Sequence, residues 1–321
     1  MNEMMRTVVI QQKEHAEVIE VPVPAPGPGQ VLVKVKAVTT CPQWDLHIYY
    51  GRPMFIQEGE VPFPYLPGQP GHEMTGTVAA VGNNVSLAEG AAVCAWRDPG
   101  QIAPGCYAEY VLMNESDLIE VPAELHYTQV VSLELAMCVA GTILRLKETV
   151  GIAGKRCAVN GLGPAGLIAL QMLAAEGAAE VVGIDPLAAR RDMALQLGAA
   201  DVFEAGSERL DLRHVYGGNA PDVSVDCVGY PSAVRYLMDH TKEAVALFAV
   251  QRDDYELHHP GLSVIGYPGH FRESAEYALQ LIVSGKLDLR PLITAELPLE
   301  AYNEAVPMLK EQKAIKICFV P

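Results

Sequence analysis

Five residues in the first half of the chain could bind a metal: Cys41, His72, Glu73, Glu134 and Cys138. Cys41 opens the segment Cys41-Pro-Gln-Trp-Asp45-Leu-His47 after a strand-like run. His72 and Glu73 stand in Gly71-His72-Glu73, where a Pro-rich loop (Pro62 to Pro70) enters the next strand. Glu134 and Cys138 begin a helical stretch. Thiolate, imidazole and carboxylate are the donors zinc prefers, and three protein ligands leave one position open to substrate. Taken singly, each residue has a plainer reading: a cysteine is most often a small buried hydrophobe, and a histidine a satisfied core residue.

The second chemical feature is Gly161-Leu162-Gly163-Pro164-Ala165-Gly166, a G-x-G-x-x-G pattern between the apolar run from Cys157 and a helix-forming stretch. Such a loop turns tightly, lets backbone approach a pyrophosphate and packs its helix close to the strand. The helix N-terminus then offers unpaired N–H groups and a positive dipole end. A second apolar run, Glu180 to Asp185, ends in an acid 19 residues after Gly166, where a ribose hydroxyl needs an acceptor. Asp185 favours NAD over NADP, because a carboxylate repels a 2′-phosphate. Arg190 and Arg191 pull the other way, or simply form a solvated helix face.

Composition sets the bounds. The 321 residues are enough for two domains. A net charge of −16 argues against nucleic acid or an anionic membrane as partner. The N-terminal residues show no apolar signal core, and no charge-free apolar run of membrane-spanning length occurs. Seven scattered cysteines suit a reducing cytoplasm better than a disulfide framework.

The elements follow from periodicity. Residues 5–113 read mostly as strand, with Val31–Val38 alternating at period two. Thr75–Val81, Ala91–Trp96 and Tyr107–Met113 are further strand-like runs, and Tyr127–Lys147 turns helical. From Arg156, strands (Val181–Asp185, Asp201–Glu204, Val223–Cys227, Val245–Val250, Leu262–Tyr267) alternate with helices (Leu187–Leu197, Ser207–Val215, Ser232–His240). That alternation predicts a doubly wound parallel sheet, an α/β fold. A helix at Ser274–Ser284, another near Glu300–Lys310 and a last strand Ile315–Val320 close the chain. The expected division is a split β-rich catalytic domain, residues 1–138 and 269–321, around a dinucleotide-binding domain, residues 139–268.

In this order, Cys41…Asp45-Leu-His47, Gly71-His-Glu73, Gly105-Cys-Tyr-Ala-Glu-Tyr110 and the glycine loop resemble zinc-dependent medium-chain alcohol and polyol dehydrogenases of the sorbitol and threonine dehydrogenase branch. Gly266-Tyr-Pro-Gly269 and Pro291-Leu-Ile-Thr are similar to that family's late segments. The resemblance implies a GroES-like catalytic domain completed by the C-terminal strands, a Rossmann cofactor domain, and an active site in the cleft between them. It implies zinc on Cys41 and His72, with Glu73 ligating or exchanging with substrate and water. Glu134 is then the acidic third ligand, with Cys138 as the fallback. His47 becomes the end of a proton relay, and Asp45 a residue that orients ligands. The resemblance also implies a homodimer or homotetramer, through an edge strand that here is Leu262–Tyr267.

Three departures stand out. One residue is inserted after Cys41, so Gln43 and Trp44 replace the usual relay Ser or Thr. Proton exit would then pass through water or a tyrosine. The segment between Cys94 and Cys106 holds no further cysteine, so one catalytic zinc per chain and no structural zinc is expected. Finally, Ile48–Pro70 is long and aromatic (Tyr49, Tyr50, Phe55, Phe63, Tyr65), either a cap over substrate or a surface loop.

The expected activity is zinc-dependent, NAD-linked interconversion of a small-molecule secondary alcohol (polyol, sugar or cyclitol) and its ketone. Two other readings share the fold: a zinc-free NADPH-dependent quinone or enone reductase, and a nucleotide-binding protein without turnover. The paired Cys41 and Gly71-His-Glu73 motifs argue against the reductase, while only the missing relay hydroxyl favours the non-catalytic reading.

Overall fold

The chain starts as a hairpin, β1 (Met4–Gln12) pairing antiparallel with β2 (His15–Pro22). Next come β3 (Gln30–Thr39), α1 (Pro42–Tyr49), β4 (Glu73–Val81), β5 (Ala92–Ala95), β6 (Tyr110–Asn114), β7 (Leu118–Glu120), α2 (Tyr127–Val130) and α3 (Leu133–Val150). The computed structural model describes residues 3–54, 59–98, 100, 102–205, 219–251 and 253–321. The helix expected over Ser207–Val215 lies outside the described residues. Two compact units divide the chain: residues 1–135 with 289–321, and residues 136–288.

The second unit alternates as its sequence predicts: β8 (Arg156–Asn160), α4 (Pro164–Ala175), β9 (Glu180–Ile184), α5 (Ala188–Gln196), β10 (Asp201–Phe203), β11 (Val223–Asp226), α6 (Pro231–His240), β12 (Ala244–Leu247), β13 (Ser263–Gly266) and α7 (Arg272–Val283). Its six strands are all parallel, in the order β10-β9-β8-β11-β12-β13. The chain therefore winds outward from β8 in one direction, returns, and winds outward in the other. That is the Rossmann strand order, whose reversal point, between β8 and β11, is where dinucleotides bind. Burial on both faces accounts for short, nearly all-apolar strands such as β12, Ala-Val-Ala-Leu.

The remaining elements, β14 (Ile293–Leu297), α8 (Tyr302–Lys310) and β15 (Lys316–Phe319), belong to the first unit. Its seven-stranded sheet runs β14-β15-β3-β4-β5-β7, with β6 also paired to β3. β15 joins β3 antiparallel through Cys318 opposite Thr39 and Phe319 opposite Val38. The last four-residue strand thus lies beside the strand that leads into Cys41. This is the β-rich, GroES-like partner of the parallel-sheet unit, and the fold is mixed α/β as expected.

Two sequence readings are refined. Residues 42–49 form α1, which periodicity did not indicate; Pro42 sits at its first turn, where a missing N–H and fixed φ cost nothing. In the aromatic stretch after it, Tyr49 is buried while Tyr50, Phe63 and Tyr65 pack against the first unit's core. Those rings are core, and Phe55 lies outside the described residues. Among the described residues one helical stretch, Tyr127–Val150, is long and apolar enough to cross a membrane, but 78% of its apolar window is buried within the protein.

Candidate functional site

β3 ends at Thr39 and α1 begins at Pro42, so Cys41 caps the helix in an extended conformation (φ −101°, ψ 99°). β4 begins at Glu73, which pairs with Thr39 across the sheet and brings Gly71-His72-Glu73 beside Cys41. Gly71 is required there, since a Cβ would lie 2.8 Å from the ring and backbone of Tyr107. The ligand atoms of Cys41, His72 and Glu73 all lie within 4.8 Å of one another. Glu134, from the first turn of α3, places Oε2 3.8 Å from His72 Nε2, with both side chains 5% exposed.

The tautomer of His72 follows from its partner. Nδ1 lies 2.8 Å from the Pro70 carbonyl oxygen, which can only accept, so Nδ1 carries the proton and Nε2 keeps its lone pair for a metal. Burial alone would lower the His72 pKa, but Cys41, Glu134 and Asp98 outweigh it and hold it well above the usual value. A thiol and carboxylates converging on one imidazole suit a dication. The donor set of thiolate, imidazole and carboxylates fits zinc.

Glu73 is committed elsewhere as well. Its Oε1 accepts from Lys316 Nζ at 2.6 Å and its Oε2 from Thr39 Oγ1 at 3.1 Å, and Thr39 in turn contacts Ser132 Oγ at 3.0 Å. Neither the lysine nor the glutamate side chain is exposed. Burial raises the Glu73 pKa, Lys316 pulls it back, Glu134 adds to the rise, and the balance stays above the ordinary value. Sequence reasoning named Glu73 and missed Lys316.

Asp45 does not touch His72 through a hydrogen bond. Its Oδ2 accepts the Cys41 backbone N–H at 2.9 Å, and Oδ1 accepts from Tyr107 and Tyr302 hydroxyls, each at 2.8 Å. Burial pushes its pKa up to about 6, against the lowering effect of these donors. His47, in the last turn of α1, uses Nδ1 on the Pro53 carbonyl at 2.9 Å. Gln43 is exposed and Trp44 half-buried against the core. Cys138, one turn beyond Glu134 on α3, receives the Tyr267 hydroxyl at 3.1 Å.

The glycine loop in the second unit joins β8 to α4. Gly161 has φ 87°, and a Cβ on it would lie 2.6 Å from Val228 Cγ2; on Gly166 it would lie 1.8 Å from the Gly161 carbonyl oxygen. Gly163 caps α4, Pro164 stands at its first position and Ala165 follows, while a Cβ on Gly163 would meet only Arg190 Nη1, at 3.9 Å. Asp185, 2% exposed, binds both flanks of this mouth: Oδ2 accepts the Leu162 N–H and Oδ1 the Leu187 N–H, both at 2.8 Å. Each oxygen keeps a further lone pair for a sugar hydroxyl. Arg190 Nη1 lies 3.7 Å from Asp185 Oδ2, and Arg191 donates to the Asp185 carbonyl at 2.8 Å.

Comparison with known proteins agrees with both halves. Residues 27–123 match the alcohol dehydrogenase GroES-like domain, and residues 164–265 match the zinc-binding dehydrogenase family. An L-threonine 3-dehydrogenase of Bacillus licheniformis is 27% identical over 94% of both chains. A sorbitol dehydrogenase of Bombyx mori is 30% identical over 67% of this chain and 64% of its own. The crystal structure of 2R,3R-butanediol dehydrogenase from Bacillus subtilis superposes with a TM-score of 0.85 at 23% identity, over 99% of each chain.

Proposed function

The chain belongs to the zinc-type medium-chain dehydrogenase family, and from that premise we propose that it is a zinc-dependent, NAD(H)-linked dehydrogenase of a secondary alcohol of the polyol, sugar or cyclitol type. The observation that carries this reading is the convergence of Cys41, His72 and Glu73 within 4.8 Å, with His72 Nδ1 turned away to Pro70. Cys41 and His72 would hold the metal, Glu134 would supply the acidic third ligand, and Glu73 would exchange between Lys316 and the centre. Zinc at such a site supplies a Lewis acid that lowers the proton affinity of a substrate hydroxyl or polarises a carbonyl.

The chain's own residues do the rest. Two glutamates make the site anionic, which tempers that acidity toward a polyol-type centre. Gly161–Gly166 and the start of α4 would hold the pyrophosphate, and Asp185 would accept from the ribose hydroxyl. A nicotinamide bound there would supply hydride exchange with the substrate carbon. With no relay hydroxyl at Gln43 or Trp44, the proton would leave through water or a tyrosine toward His47. Between the buried thiols Cys94 and Cys106 the segment supplies no further cysteine, which supports one catalytic zinc per chain without a structural zinc lobe.

The protein assembles as a homodimer or homotetramer through β13, an edge strand with Val264 39% exposed and Tyr267, just after it, 38% exposed. A dehydrogenation screen over polyols, sugars, cyclitols and simple secondary alcohols, each with NAD and with NADP, tests the activity. Turnover of one hydroxylated class with NAD supports it. NADPH-dependent enone reduction without alcohol oxidation overturns it.

A further inference from the structure

Asp45 is a fully buried carboxylate with no arginine or lysine partner among the described residues. An isolated buried charge of this kind would cost several kcal/mol, so its donors are essential. It has three. Tyr107 Oη donates to Oδ1 at 2.8 Å and stands 3.0 Å from Oδ2; Tyr302 Oη donates to Oδ1 at 2.8 Å; the Cys41 N–H donates to Oδ2 at 2.9 Å. Asp45 also donates its own N–H to the Cys41 carbonyl at 3.0 Å. Cys41 is therefore bonded to one residue at both its amide and its carbonyl.

The two tyrosines cannot easily turn away. Tyr107 is 0% and Tyr302 1% exposed, their ring centroids are 5.2 Å apart, and both pack against Phe319, Tyr107 edge-on at 5.3 Å and Tyr302 tilted at 5.8 Å. They come from distant places, Tyr107 just before β6 and Tyr302 at the start of α8, so the carboxylate is gripped from two sides of the core. Neither hydroxyl has another purpose there, since a phenylalanine would fill the same space.

We propose that Tyr107 and Tyr302 are positioning residues for the metal centre: their hydroxyls fix Asp45, Asp45 fixes the main chain of Cys41, and the direction of the Cys41 sulfur follows. The inference rests on the metal reading above. Without the hydroxyls, Asp45 is free to swing, the Cys41 amide loses its fixed acceptor, and the direction of the sulfur is less tightly set. Outer-sphere partners of metal ligands are typically worth 10- to 100-fold in metal affinity.

The test uses Tyr107→Phe, Tyr302→Phe, the double variant and Tyr49→Phe. Tyr49 sits in the same aromatic cluster, 6.0 Å from Tyr302, but its hydroxyl goes to Glu14 and Asn303 instead. Zinc release from the purified holoprotein to a chromogenic chelator is timed, and the thiolate-to-metal charge-transfer band is recorded after exchange with Co²⁺. The expected result is release faster by about tenfold in each single variant and about 100-fold in the double, with a shifted band. Tyr49→Phe should match wild type. A double variant that releases zinc at the wild-type rate with an unchanged band overturns the inference while leaving the metal reading intact. Equal acceleration in Tyr49→Phe overturns it too, as general loosening. Wild-type protein that binds no zinc overturns the metal reading, and this inference with it.

Discussion

Lys316 and Glu73 are 243 residues apart in sequence and form an ion pair at 2.6 Å in which neither side chain is exposed. β15 delivers the lysine, whose Nζ also donates to the Thr40 carbonyl at 2.6 Å, directly beside the turn that leads to Cys41. Tyr302 of α8 does the corresponding work for Asp45. The C-terminal return of the chain thus completes a sheet and also holds Asp45 and Glu73, two of the carboxylates near Cys41 and His72.

Breaking a buried pair leaves one charge uncompensated, which costs about 3–5 kcal/mol. Lys316→Met is expected to lose that much, and adding Glu73→Gln, which removes the orphaned charge, should recover most of it. Urea unfolding midpoints of the single and double variants give both values. A Lys316→Met protein as stable as wild type would mean the pair is not formed.

Two glycines of the loop separate folding from binding. At Gly166 a methyl group would lie 1.8 Å from the Gly161 carbonyl oxygen, so Gly166→Ala should destabilise the unit and abolish cofactor binding together. At Gly163 the nearest atom is Arg190 Nη1 at 3.9 Å. Gly163→Ala should therefore keep its melting temperature and lose dinucleotide affinity by about tenfold or more, because the backbone must approach the pyrophosphate. Thermal melts and NADH titrations distinguish the two.

Asp185 sets the cofactor preference in this account. Asp185→Ser removes the charge next to the ribose and releases Arg190 from its 3.7 Å contact. NADH binding should weaken by about tenfold, the value of a hydrogen bond to a charged group, and NADPH binding should strengthen. Fluorescence titration with both cofactors checks the reversal. Wild-type protein that already prefers NADPH would contradict the role.

Acid should loosen the second unit at Glu176. Burial would raise its pKa, but the Lys147 ammonium at 2.8 Å and the Tyr277 hydroxyl at 2.7 Å outweigh burial and lower it below 4.5. A lowered folded pKa means the stabilisation is complete above 4.5 and is lost as pH falls through the folded value. Lys147 is half exposed, so the contribution at pH 7 is under about 1 kcal/mol. Glu176→Gln should flatten the fall in urea midpoint below that pH.

Much of this arrangement is legible in the sequence because it is local. The parallel sheet shows itself as apolar runs spaced by helices, and the glycine loop by its position between β8 and α4. Cys41, His72 and Glu73 stand out by type, since zinc donors are few kinds of side chain. The rest is long-range. Lys316 sits among strand residues and reads as a surface lysine; only the buried Glu73 opposite explains it. Tyr107 and Tyr302 read as core rings, and no spacing reveals that both hydroxyls meet one carboxylate. α1 escaped notice because eight residues with one proline at the start carry little period.

Zinc content of protein purified without added metal tests the central claim most directly, measured on wild type, Cys41→Ala and His72→Ala. The account predicts about one zinc per wild-type chain and none in either variant, with NADH binding unchanged. Wild-type protein free of zinc, or variants that keep it, would contradict a metal centre on Cys41 and His72.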